Sequence, residues 1–172
     1  MKLIAFLLVA VATLVGVVAF TGASAHADVG AGPIFVTTIP PGYRDWRFIS
    51  VSHEAGSLNS IGAVLGNDVA IKAYREGKLP FPDGTIIAAL HYGHTPSAEN
   101  NKVFGQAQSF VPGPATNIQF MVKDSTKYAA TGGWGFATFK DGKPADAASM
   151  KSCFPCHNQN KAGDLVFTHY AP

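Results

Sequence analysis

Apolar and polar residues alternate along several short stretches of this chain, and each stretch stops at a cluster of glycine and proline. Residues 46–51, 61–65, 84–92, 118–122 and 133–139 are rich in Val, Ile, Phe and Thr, and several alternate in polarity, which predicts half-buried strands. IPPGY at 39–43, LPFPDG at 79–84, FVPGPATN at 110–117, ATGGWG at 130–135 and KDGKP at 140–144 read as turns between them. Two segments read as helices. Asn67-Asp68 can cap one through VAIKAYREGK, with Val69, Ile71, Ala73 and Tyr74 sharing part of one face. Another runs from Pro144-Ala145 through Met150 toward Cys153, since proline is tolerated at a first helical position. Pro155 lacks the N–H of an uninterrupted helix, so the boundary at the cysteines stays open. The pattern predicts an α+β domain on a mainly antiparallel β-sheet with a few short helices.

The N-terminus follows a different rule. Met1-Lys2 precedes an apolar run from Leu3 to Phe20 and then the small-residue sites ASA and AHA. This predicts a signal peptide over 1–27, cut after Ala27, and one domain over 28–172 in the periplasm or outside the cell. An uncleaved membrane anchor is the alternative, because the run is almost long enough to span a bilayer. About 145 residues remain after cleavage, which suits a single core. The formal charge of +2 over 172 residues gives no reason to expect nucleic acid or acidic lipid as a partner.

Candidate chemistry sits at the other end, where SCFPCH holds the chain's 2 cysteines. In Cys-x-x-Cys-His, two thiols can add to the vinyl groups of one haem while the adjacent imidazole binds its iron. That assigns Cys153 and Cys156 to attachment and His157 to the metal. CFPC also fits a thioredoxin-type dithiol, but such a pair opens a helix early in a βαβ fold, and too little chain follows here. A zinc site would need four ligands, and a disulfide over so short a loop would stabilise little.

Three blocks extend the picture: YRDWRFISVSHEAGSLNSIGAVLGNDVAIKAYREGKLPFPDGTIIAALHY, FMVKDSTKYAATGGWGFATFKDGKP and CFPCHNQNKAGDLVFTHYAP. Together, and in this order, they resemble the cytochrome P-460 family over nearly the whole chain after residue 27. The resemblance implies an exported c-type cytochrome with a mainly antiparallel fold, often dimeric, carrying one covalent haem c on Cys153 and Cys156 with His157 as proximal ligand. The family includes enzymes that oxidise hydroxylamine and relatives that bind gases such as nitric oxide. In the enzymes a lysine on the strand after the Asp-Gly-Thr-like turn is cross-linked to the haem edge. That position falls on Ala89 here, and no lysine lies between Lys78 and Lys102. The expected chemistry therefore shifts from hydroxylamine oxidation toward binding or redox handling of a small nitrogen-oxide or diatomic ligand. Runner-up readings are a six-coordinate electron-transfer cytochrome, with a redox partner protein, and a thiol–disulfide oxidoreductase.

Period-two alternation puts Ile87, Ala89 and His91 on one face, making His91 the distal candidate for hydrogen bonding or proton transfer. Its alternative is a strand-end histidine bonded to solvent or a loop. His94, in GHTPSAENN, reads as a turn residue at the surface, and His53 as structural. Met121 reads as core and Met150 lies too close to Cys153 to reach the far side of the same haem. His169 has no assigned role. Phe48, Phe120, Phe136, Phe139 and Phe167 are candidates to wall an apolar pocket, and Arg44, Arg47 or Arg75 to pair with a haem propionate.

Overall fold

A computed structural model describes residues 35–171 of the chain. The signal-peptide reading of 1–27 lies outside the described residues. Six strands form one sheet: β1 (Arg47–Glu54), β2 (Ser60–Gly66), β3 (Ile86–Pro96), β4 (Phe110–Lys123), β5 (Trp134–Lys140) and β6 (Lys143–Pro144). They lie in chain order, each antiparallel to the next. Four short helices accompany them: α1 (Asp68–Arg75), α2 (Ala98–Phe104), α3 (Ala147–Lys151) and α4 (Cys153–His157). The expected α+β class holds, and among the described residues no helix is long and apolar enough to cross a membrane.

The two sheet faces build separate cores. One holds Ile87, Met121 and Phe136, adjacent across β3, β4 and β5, and packs beneath α1, α4 and the residues around Leu165 and Val166. The other holds Ala88, Leu90, Phe120, Ala137 and Phe139, covered by Val36, Ile39, Tyr43 and Trp46 from the segment before β1. The first face carries the candidate site. A bulge in β1 shifts the register between Phe48 and Ser50. The extra residue, Ile49, is fully buried in the first core, beside a Ser50 that lines the cavity described below.

Asn67 explains why α1 starts where it does. Its side-chain oxygen accepts from Ala70 N at 3.0 Å and from Ile86 N at 3.1 Å, and its amide donates to Gly84 O at 2.8 Å. One side chain thus caps α1 and ties it to the start of β3. The buried stripe is Ala70, Ile71 and Ala73, whereas Val69, expected on that face, is 37% exposed. Asn67→Ala should lower the unfolding free energy by about 0.5–2 kcal/mol, the range for a lost N-cap. A lower urea midpoint at unchanged slope is the measurement that checks it.

Two segments depart from the sequence pattern, and the boundary left open at Pro155 is settled. FVPGPATN, expected as a turn, is the first part of β4, paired with the end of β3 around α2. β5 pairs with β4 only from Ile118 onward, so Pro112 and Pro114 sit where β4 is an edge, and their missing N–H groups cost no ladder bond there. Lys143–Pro144 is β6 rather than a helix start, and α3 begins after Asp146, which accepts from Ser149 N at 2.9 Å. Pro155 falls within the first turn of α4, where backbone N–H groups have no helical acceptor in any case.

Candidate functional site

On α4, Cys153 and Cys156 are separated by one helical turn, and His157 lies four positions after Cys153. That spacing puts the three side chains along one side of the helix. Cys153 is half-buried against the first core and Cys156 is exposed, and both thiols are free. Burial pushes the Cys153 thiol up from its ordinary value.

His157 is half-buried between two aromatic rings, Phe136 at 5.0 Å and Phe167 at 5.1 Å between centroids. Its Nδ1 lies 2.7 Å from the Leu165 carbonyl oxygen. A carbonyl can only accept, so Nδ1 carries the proton and Nε2 keeps its lone pair. Burial also pushes the imidazole below its usual value, against a smaller opposing effect of the Leu165 hydrogen bond. The ring is therefore held neutral, oriented and ready to ligate through Nε2.

Cys153 and His157 border a cavity of about 520 Å³ between the sheet and the C-terminal segment. Its apolar wall includes Val64, Ile87, Ala89, Met121 and Phe136, and its polar side Ser52, Glu54, His91 and Gln119. Volume and lining are those of a cofactor site. Ala89 and His91 share the cavity with His157, as the alternation of β3 requires. Among the described residues no lysine or arginine lines it. A haem fits this donor set: soft thiols and a neutral imidazole beside an apolar slot. Cys156 is exposed and outside the cavity lining.

His91 is 7% exposed. Its Nδ1 lies 3.2 Å from Ser60 Oγ and 4.0 Å from Glu54 Oε2, and its Nε2 is buried with no partner among the described residues. The solvent-exposed strand-end alternative is overturned by that burial. His94 is not in a turn: it lies on β3, half-buried, stacked on Phe110 at 4.1 Å and beside His53 at 4.2 Å. His169 is exposed, at the cavity's edge. Phe136 and Phe167 flank His157 as pocket walls, but Phe139 packs in the core of the opposite face and Phe48 is 49% exposed. None of the arginines reaches the cavity. Arg47 pairs with Asp68 at 3.6 Å, Arg75 donates to Tyr170 Oη at 3.2 Å, and Arg44 stacks on Tyr43.

Sequence reasoning missed what stands behind His157. Asp164 and Leu165 are consecutive non-glycine residues at φ 49° and 67°. Lys123 from β4 reaches the Asp164 carboxylate at 2.9 Å. The available signal was period two: Lys123 follows Met121 on the core-facing side of β4, and a lysine pointing inward needs an acid.

The curated proteins include no match to the chain. The family model described as cytochrome P460 matches residues 40–168, most of the chain, including Ala89, His91, Cys153, Cys156 and His157. With its antiparallel sheet, its neutral cavity histidine and this match, the chain belongs to the cytochrome P460 family, whose members are haem-binding c-type cytochromes.

Proposed function

We propose that the chain is an exported cytochrome carrying one covalent haem c on Cys153 and Cys156, with His157 as the iron's protein ligand and the distal side open to small nitrogen-oxide or diatomic ligands. The observation that carries it is the 2.7 Å bond from His157 Nδ1–H to the Leu165 carbonyl, beside a cavity that Cys153 also lines. Each thiol would add across one vinyl group, its S–H bond giving way to a C–S and a C–H bond as the double bond is lost. No oxidant is needed. When bound, the haem iron supplies a reversible electron and an open coordination position for a diatomic ligand.

The chain's own residues do the rest. His157 donates Nδ1–H and so keeps Nε2 aimed and basic. Phe136 and Phe167 both pack against the ring. Ala89, Val64 and Ile87 keep water out of the slot. His91, bonded to Ser60 and near Glu54, is the group able to hold or pass a proton on the β3 side. A cavity wall that, among the described residues, carries Glu54 and no lysine or arginine favours neutral ligands over anions. Export rests on the Leu3–Phe20 run and the site at Ala27, and a mature N-terminus at Asp28 by mass spectrometry is its check. Assembly as a homodimer and delivery of electrons by a separate redox protein follow the family reading.

The electron-transfer reading has one observation in its favour, the unpartnered Nε2 of His91 near the same cavity. It requires that nitrogen to bind iron as a strong sixth ligand. Reduced protein should instead give a five-coordinate spectrum and bind carbon monoxide readily. A six-coordinate ferrous spectrum unchanged by carbon monoxide would sink the open-site reading. The dithiol reading asks for a lowered thiol value, and burial moves Cys153 the other way.

A further inference from the structure

Behind His157 lies a charge pair that the proposed function leaves unused. Lys123 and Asp164 side chains are 7% and 14% exposed. Lys123 Nζ donates to both carboxylate oxygens, at 3.0 and 2.9 Å, and to the Gly132 carbonyl at 3.0 Å. It also sits 4.9 Å above the Trp134 ring. The ATGGWG turn is the cradle for this ammonium. A Cβ on Gly133 would meet Lys123 Cε at 3.3 Å, and both Gly132 and Gly133 have positive φ. Asp164 Oδ2 accepts a further bond from Phe81 N at 2.9 Å.

Burying a charge pair is a poor route to stability, because desolvation offsets much of the attraction. Its geometric consequence is clearer. Asp164 and Leu165 both adopt left-handed backbone, which aspartate tolerates and leucine does not favour. Such strain persists only where the surroundings hold it. Here the hold comes from Lys123 and Phe81 on the Asp164 carboxylate, and from Leu165 N bonded to Asn160 O at 2.8 Å. The outcome of the paired left-handed residues is a Leu165 carbonyl turned back onto His157 Nδ1.

We propose that Lys123 and Asp164 are a positioning pair that holds the Leu165 carbonyl on His157 Nδ1–H and thereby sets the donor strength of the iron ligand. The inference rests on His157 being that ligand. A firm Nδ1–H bond gives the imidazole more anionic character, strengthens its bond to iron and favours the ferric state. Loosening the pair should do the reverse.

The test uses full-length, haem-loaded protein with Asp164→Asn, Lys123→Met and the double variant. Asparagine keeps the tolerance for left-handed backbone and can still accept from Phe81, and the double variant leaves no lone buried charge should a single variant fail to fold. Resonance Raman of the reduced protein should show the iron–imidazole band shifted to lower frequency. The reduction potential should rise. Because both residues act through one bond, the double variant should shift no further than either single one. Asn67→Ala, destabilised at a remote cap, should leave band and potential unchanged. Variants with a lowered melting temperature but an unmoved band would show the pair to be structural only and overturn the inference. In haem-free full chain, the His157 Nδ1–H proton should exchange faster in the variants. Unchanged exchange overturns the inference even if the parent binds no haem, so the two readings fail separately.

Discussion

Haem should survive acid–organic extraction from the parent protein and be lost completely from the Cys153→Ala/Cys156→Ala double variant. Thioether bonds are covalent, whereas a haem held by His157 and the cavity wall alone leaves when acid protonates the imidazole and unfolds the chain. Each single variant should retain one thioether and yield haem of lower occupancy. Cys153 is packed against the core that carries Phe136 and Leu165, while Cys156 stands exposed on the next turn of α4. Cys153→Ala should therefore be the more damaging, since it removes both a bond and a positioned contact at the cavity wall. The measurement is the intact mass, one haem above the apo chain, with the extraction supernatant read in parallel. Full extraction of haem from the parent would defeat covalent attachment. Dithiol reductase activity in haem-free protein would support the thioredoxin-like alternative.

Much of this site was legible because its grammar is local. CFPCH needs only five adjacent residues, and one helical turn arranges them. Period two along β3 put Ala89 and His91 on one face, and the sheet keeps both beside the cavity. The strands were legible where one face is buried, as in the β2 segment, and where a short apolar run is buried on both, as in β5. They were not where β4 extends as an edge through Pro112 and Pro114, since proline there carries the same signal as a turn. The bulge at Ile49 was hidden for a related reason: two successive residues serve the same side of the sheet, and alternation cannot express that. The hold on His157 was the least legible part. No propensity places Leu165 in left-handed backbone, and the Lys123–Asp164 pair joins residues 41 positions apart. Only the inward register of Lys123 on β4 hinted that a partner had to exist.

The position where the family's enzymes carry a haem-linked lysine leads to the last expected result. Ala89 pairs with Val64 on β2 and Gln119 on β4, and its methyl group lines the cavity. A methyl group cannot bond to a haem edge, and the nearest candidates along β3, Ala88 and Leu90, face the opposite core. Among the described residues no lysine lines the cavity, and Lys123, which is buried, is committed to Asp164 and Gly132. Haem should therefore be joined only through Cys153 and Cys156, with the spectrum of an unmodified c-type haem. Hydroxylamine oxidation should be weak or absent, leaving ligand binding as the dominant measurable property. Peptide mapping decides the first point: a haem adduct on the 84–92 peptide would overturn it. Steady turnover of hydroxylamine without that adduct would instead defeat the functional half, and would direct attention to His91. Its Nδ1 is fixed by Ser60 and its Nε2 lacks a partner among the described residues, so it is the cavity group equipped to move a proton. Under that outcome His91→Gln should cut turnover by about 10²–10⁴-fold, the usual contribution of a positioned acid or base, while leaving the attached haem unchanged.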